Sequence, residues 1–302
     1  MISKEKVRNA IEKGLRFLES NCKDGRFECY LSYYRDMRDK TPSPEGIGTS
    51  LFALTTVLKL RPELKITKDV IRYCENFVRD GKVFYFREDN CPTDIDDTSW
   101  FLSALLDMNK SRRYIERVAD EIMNNVDENG ILKVWFEPCP KENAKDNIAI
   151  ANALYFLNLM GRRTYTMKNE DYMLEILKNK SYLNGSLYYD SPDTFLYCLS
   201  KLTRFKEINE RFGETLKKEI KERIDSTDWP LDLAMRVSVA NRLDINNDAE
   251  IEKLLNLQEK DGGWPIDSLY HYRRKPGRTR IGYFGSRSMT TAFSLEVLLL
   301  HA

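Results

Sequence analysis

Residues 4–20, KEKVRNAIEKGLRFLES, and residues 48–60, GTSLFALTTVLKL, are the stretches on which the fold turns. In the first, Val7, Ile11, Gly14, Leu15 and Leu18 recur at helical spacing on one face while Lys and Glu fill the other, which predicts a helix on an outer surface. The second mixes apolar and small residues around its whole circumference, which predicts a helix buried between neighbours. A loop carrying Asp24-Gly25-Arg26-Phe27 joins the two.

The same alternation of an amphipathic and an all-round apolar segment runs on through the chain. Residues 69–86 are followed by 97–108, 115–136 by 147–161, 172–189 by 193–202, 213–230 by 231–243, and 249–265 by 289–300. A unit recurring about every 35 to 55 residues suits helix-pair repeats with variable loops. An open solenoid would end in a polar capping helix, but the segment from Thr290 to Leu300 is as apolar as any inner one and needs cover on all sides. The pattern therefore predicts an all-α fold: an (α/α)6 toroid of six helical hairpins, one domain over residues 1–302, with inner helices around a central cavity.

Charge and composition narrow the function. Lys and Arg total 48 against 47 Asp and Glu, a net charge of +1, which excludes a general attraction to nucleic acid. No apolar run approaches the ~20 residues that span a bilayer, and the start MISKEKVRNAIEKG lacks a signal-peptide core. A cytoplasmic location is expected, with any membrane contact peripheral. Cys22, Cys29, Cys74, Cys91, Cys139 and Cys198 are scattered and read as free thiols. With His271 and His301 the only histidines, no His-rich metal site is expected.

Two loops carry a resemblance. Lys13-Gly14-Leu15-Arg16-Phe17-Leu18 through Asn21 to Asp24-Gly25-Arg26-Phe27, and Leu254 through Gln258 to Asp261-Gly262-Gly263-Trp264, resemble the Gln-Trp repeats of squalene-hopene cyclases and related terpenoid cyclases, the first in degenerate form. Pro92-Thr93-Asp94-Ile95-Asp96-Asp97-Thr98-Ser99-Trp100 resembles the D-x-D-D-T motif of class II terpene cyclases, and like it opens an inner helix. The resemblance implies a monodomain enzyme that starts cyclisation of a linear polyprenyl substrate by protonating an alkene or epoxide. Asp96 is the implied donor, with Asp94 and Asp97 beside it.

An alkene is a very weak base, so such an acid must be strong, protonated and dry. Neighbouring carboxylates help to keep one proton bound. The family gives its acid a hydrogen-bonding partner, for which His271, Tyr270 and Tyr272 are the candidates. Carbocations are steadied by aromatic faces. Trp100, Trp135, Tyr155, Phe195, Tyr197, Trp229 and Phe293 occupy inner segments or their loops and are the candidate lining. The run Tyr272-Arg273-Arg274-Lys275-Pro276-Gly277-Arg278-Thr279-Arg280 is the strongest charge cluster, and Arg273 and Arg274 would hold a prenyl diphosphate, with Mg²⁺ assisting if the substrate is one.

Other accounts stand beside this one. One Asp at a helix start is ordinary capping, but three within four positions exceed that need. A protein prenyltransferase β-subunit would hold zinc through Asp, Cys and His, whereas Tyr283–Thr290 contains no Cys or His. A carbohydrate enzyme of the same fold would pair Asp96 with Glu137 or Asp146. A non-catalytic isoprenoid-binding toroid would keep the ring without the chemistry.

Overall fold

The computed structural model describes residues 2–86, 92–110, 112–136, 144–273 and 281–301. Outer helices α1 (Lys4–Asn21), α3 (Lys65–Glu75), α5 (Ile115–Asn124), α7 (Met167–Lys178), α9 (Lys206–Arg223) and α11 (Asp248–Asn256) alternate with inner helices α2 (Gly48–Thr55), α4 (Ile95–Asp107), α6 (Asn147–Leu159), α8 (Pro192–Ser200), α10 (Pro230–Arg242) and α12 (Arg287–His301). The inner helices pack in sequence, α2 on α4, α4 on α6 and so on to α12, which returns to pack on both α2 and α1. That last contact closes the ring.

Burial follows the sequence pattern. Every residue of α2 is buried, whereas α5 buries only Ile115, Val118, Ala119 and Ile122 on one stripe. The inner helices start where the sequence supplies caps. Asp94 caps α4 and Asp146 caps α6, while Ser191 followed by Pro192 starts α8.

The loops between outer and inner helices link each unit to the next. Gly25 has φ +83 and a Cβ there would lie 2.1 Å from the Asp69 carbonyl oxygen of α3; Gly262 has φ +94 and its Cβ would lie 2.4 Å from the Lys13 carbonyl oxygen of α1. The Phe27 N–H donates to Ser50 Oγ of α2 at 3.0 Å, and the Trp264 N–H donates to Thr291 Oγ1 of α12 at the same 3.0 Å. Gln258 adds a bond of 2.8 Å from Nε2 to the Ala10 carbonyl, so the last unit grips the first outer helix.

Two features depart from the sequence reading. A four-stranded antiparallel sheet, in the order β2 (Thr41–Pro42), β1 (Tyr30–Ser32), β6 (Ile281–Gly285), β5 (Ser268–Arg273), joins the first unit to the last, while β3 (Val78–Arg79) and β4 (Lys82–Val83) pair in a separate hairpin. Tyr272 and Arg273, expected in a basic loop, lie in β5, because SLYHYR and IGYFG are runs of strand-favouring residues that pair with each other. The ring centre is also filled rather than hollow. Phe52 packs on Trp100 at 5.6 Å and on Phe293 at 6.4 Å, and Phe293 on Tyr197 at 5.3 Å, between ring centroids. Among the described residues no helix is long and apolar enough to cross a membrane.

Candidate active site

The N-terminus of α4 brings three carboxyl groups under cover. Asp94, Asp96 and Asp97 are 6%, 8% and 6% exposed. Asp94 Oδ1 accepts the Asp97 N–H at 2.7 Å, which is the cap. Asp97, next in the first turn, is close enough to Asp94 for the two to hydrogen-bond through their side chains. Asp96 is turned another way: Oδ1 accepts from Asn152 Nδ2 of α6 at 2.7 Å and Oδ2 from the Tyr189 hydroxyl at 2.6 Å. Among the described residues none of the three is ion-paired with a cation.

Burial drives all three acids up. Asp97 rises well above the usual carboxylate range through burial and then the charges of Asp94 and Asp96. Burial, followed by the charge of Asp96, pushes Asp94 up to about 8 against the backbone N–H groups it accepts. Asp96 reaches only about 6, because the bonds from Tyr189 and Asn152 and the charge of Lys201 favour its ionised form against burial and the charge of Asp146. A proton therefore rests on the Asp94–Asp97 pair at neutral pH, and Asp96 is the stronger acid of the cluster.

Asp96 starts a stripe on α4 continued by Ser99, Trp100, Ser103 and Asp107 at helical spacing. Ser99, Trp100, Ser103 and Asp107, with Thr55, Lys59, Ala104, Asn152, Tyr155 and Lys201, line a narrow crevice of about 10 Å³ between the inner helices. Asn152 belongs to both places, touching Asp96 on one side and the crevice on the other. The Lys201 ammonium lies 3.2 Å from the centroid of the Trp100 ring and 4.9 Å from that of Tyr197, so a positive charge already sits on these aromatic faces.

The expected lining residues divide. Trp100 and Tyr155 line the crevice, and the Tyr155 hydroxyl donates to Asp107 at 3.0 Å. Tyr197 and Phe293 are buried beside it, Tyr197 donating to Glu296 at 2.7 Å. Trp135 is not in the crevice: it bridges to Asp94 through the backbone and packs on Tyr188 at 6.0 Å. Phe195 points to the outer layer, stacked on Tyr182 at 5.2 Å, and Trp229 lies under Arg35.

His271 lies in β5, where its N–H donates to the Tyr188 carbonyl at 2.7 Å and its ring packs near Tyr283, while the side-chain bonds to Asp96 come from Tyr189 and Asn152. Tyr270 stacks on Phe284 and reaches the Tyr189 ring at 6.5 Å, and Tyr272 is exposed. Arg274 and the following basic residues, Glu137, and the side chain of Arg273 lie outside the described residues. Among the described residues no group of three or more His, Cys, Asp or Glu is arranged to hold a metal ion.

Asn152, Tyr189 and Lys201 escaped the sequence reading. Asn152 had a signal, a carboxamide in the otherwise apolar helix NIAIANALYFLNL, and Lys201 another, a lysine closing the buried segment DTFLYCLSKL. Tyr189 had none, because its role depends on a loop meeting α4 from two units away.

Residues 51–159, from α2 through α6 and including the three Asp, match the sesquiterpene cyclase astC-like C-terminal domain. Over 213 residues, 70% of this chain, the sequence is 27% identical to the drimenol cyclase drtB of Aspergillus calidoustus, and the chain spans 38% of the length of that relative. A variant of the type II terpene cyclase MstE from Scytonema, in complex with geranylgeranyl dihydroxybenzoate, superposes with a TM-score of 0.72 at 11% identity, covering 98% of this chain and 97% of that one. The chain has the fold of the type II terpene cyclases. The sequence comparisons point to cyclases and the fold to the type II terpene cyclase ring, although an α-amylase from Clostridium perfringens also superposes, with a TM-score of 0.64 at 15% identity over 97% of this chain and 98% of its own. A toroid alone does not fix chemistry, so function has to be argued from the α4 cluster.

Proposed function

We propose that the protein is a class II terpene cyclase in which Asp96 protonates the terminal alkene or epoxide of a linear polyprenyl chain, admitted between the inner helices as the packed aromatic rings move apart. The observation that carries this reading is the orientation of Asp96: a buried carboxyl group without an ion-pair partner among the described residues, bonded to Asn152, which lines an aromatic crevice.

In this mechanism the Asp96 proton adds to the CH carbon of the terminal double bond and leaves a tertiary cation on the carbon bearing the two methyl groups, or adds to an epoxide oxygen as its C–O bond to that carbon breaks; an internal double bond of the same chain then attacks the cation to form a ring. Loss of a proton, or capture of water, ends the sequence. The bonds from Tyr189 and Asn152 steady the carboxylate that proton transfer leaves behind, which makes Asp96 a better donor than its neighbours. The proton held by Asp94 and Asp97, two residues before it and one after it in sequence, can recharge it. Trp100 and Tyr197 present their faces to the developing cation.

The test is incubation of wild type and Asp96→Asn with farnesyl diphosphate, geranylgeranyl diphosphate and squalene, followed by extraction of cyclic products. Wild type should cyclise at least one of them, and the variant should lose about 10³-fold or more in rate with its helical circular dichroism unchanged. Equal product from both proteins, or binding without turnover by either, would sink the reading and leave an isoprenoid-binding toroid.

A further inference from the structure

The packed ring centre holds a charge that the cyclisation chemistry does not use. Lys201, the C-cap of α8, is 7% exposed, and its ammonium lies 3.2 Å from the centroid of the Trp100 ring, 4.9 Å from that of Tyr197 and 6.0 Å from that of Tyr155 of α6. Among the described residues it has no hydrogen-bond or ion-pair partner. The carboxylates that could meet it are engaged elsewhere. Asp107 of α4 is shared by Lys59, beyond α2, at 3.4 Å and by Arg204 at 2.9 Å, and it accepts the Tyr155 hydroxyl. Glu296 of α12 takes Arg242 of α10 at 3.2 Å and the Tyr197 hydroxyl at 2.7 Å. Asp96 is near enough for the ammonium to act on its charge, but its own bonds come from Asn152 and Tyr189.

Such a placement works against stability. A buried ammonium without a counter-ion is costly, and an aromatic face offsets only part of that cost. Burial, reinforced by Lys59 and Arg242 against Cys198 and Glu296, pushes Lys201 down to about 7. Ser99 Oγ and Ser103 Oγ, buried on the same wall, are without a partner too, so even these acceptors do not tie the ammonium down. What holds it is the aromatic faces alone. Trp100, Tyr197 and Tyr155 form a seat for one positive charge, and the free protein fills that seat with a charge of its own.

We infer that Lys201 is a tethered occupant that blocks its own crevice: the ammonium must leave the Trp100 face before a ligand can enter between the inner helices. The crevice it lines measures about 10 Å³, no more than one water fills, so the side chain and a ligand cannot share it. The four-carbon stem lets the charge swing aside without moving α8. Loss of the proton has the same result, since a neutral amine is not held by an aromatic face. The effect falls on entry. A filled seat lowers the apparent affinity by the fraction of molecules that carry it and leaves the limiting rate as it is. That consequence for turnover rests on the cyclase reading; the occupied seat does not. A ligand bearing a quaternary ammonium competes for the seat directly, whereas a neutral one of the same shape gains only the space.

Titration of the full chain with choline and with its neutral isostere 3,3-dimethylbutanol, followed by calorimetry and tryptophan fluorescence, tests this. At pH 6 Lys201→Ala should bind choline at least about tenfold more tightly than wild type does, and about tenfold more tightly than it binds the isostere. Its advantage over wild type should shrink about tenfold between pH 6 and pH 8, as the wild-type lysine passes about 7 and frees the seat. Asp96 titrates nearby at about 6, so the comparison is repeated in an Asp96→Asn background, where the same shrinkage should appear. If Lys201→Ala does not fold, Lys201→Gln should still bind choline at least about threefold more tightly than wild type at pH 6. Equal affinities at pH 6, a gap that ignores pH, or an isostere that binds as tightly as choline would overturn the proposal. Choline requires no turnover, so a protein that cyclises nothing can pass this test and a cyclase can fail it.

Discussion

Several inner helices of the ring begin with buried acids, and those of α8 and α4 are neutralised in opposite ways. At α8, Asp193 is wholly buried and clasped by Arg223 at 2.5 and 2.9 Å and by Arg236 at 3.0 Å, and Arg236 in turn holds Glu250 at 2.6 Å. At α4, Asp94, Asp96 and Asp97 are almost as deeply buried, but among the described residues they meet only each other, backbone N–H groups, Asn152 and Tyr189. Guanidinium partners keep an acid ionised and turn it into a structural tie. Where they are missing, burial can be relieved only by retaining a proton. The repeat therefore supplies the same element twice, once as a fastener and once as a store of acid.

Removing the clasp should have the largest effect on stability. Arg236→Met leaves Asp193 and Glu250 short of a buried partner and should destabilise the fold by about 3–5 kcal/mol, read from urea unfolding. Asp96→Asn, at the other acidic terminus, should cost far less. If the two variants lost stability equally, the contrast between the ends would fail.

Tyr189→Phe should act on chemistry more than on folding. It removes a donor that favours the Asp96 carboxylate, so the acid's pKa should rise above about 6. Because the protonated form is the active one, the pH–rate profile should shift so that activity persists to higher pH, while the limiting rate at low pH drops about tenfold as the carboxylate product loses support. In wild type only about one molecule in ten carries the Asp96 proton at pH 7 by the same value, so the rate should climb as pH falls through about 6. A profile unmoved by the substitution would remove Tyr189 from the site.

The ring itself was legible in the chain because burial on one stripe or on all sides is written directly in residue order, as KEKVRNAIEKGLRFLES and GTSLFALTTVLKL show. The buried Asp cluster of α4 was legible too, since three Asp in four positions are more than a cap requires. The sheet was not, because the eye follows the arginines and lysines after Tyr272 and passes over the strand-forming residues on either side of them. Nor were the partners of the acid: Asn152 and Tyr189 come from elements that meet Asp96 only when the inner helices pack side by side. Lys201 was hidden for a related reason. A lysine at the end of a helix suits the dipole, and only the packed structure shows it turned inward with no carboxylate to meet.

Infrared spectroscopy of the carboxyl groups measures the retained proton without requiring a substrate. A carboxylic-acid carbonyl band should survive at pH 7 in wild type with a component that titrates near pH 8, and that component should be absent from Asp94→Asn/Asp97→Asn, leaving only what Asp267, which burial raises to about 7, contributes. The unfolded chain releases that proton near pH 4, so folding stability should fall as pH rises between those limits. A wild-type spectrum showing every carboxyl group ionised by pH 5 would mean that the α4 terminus stores no acid.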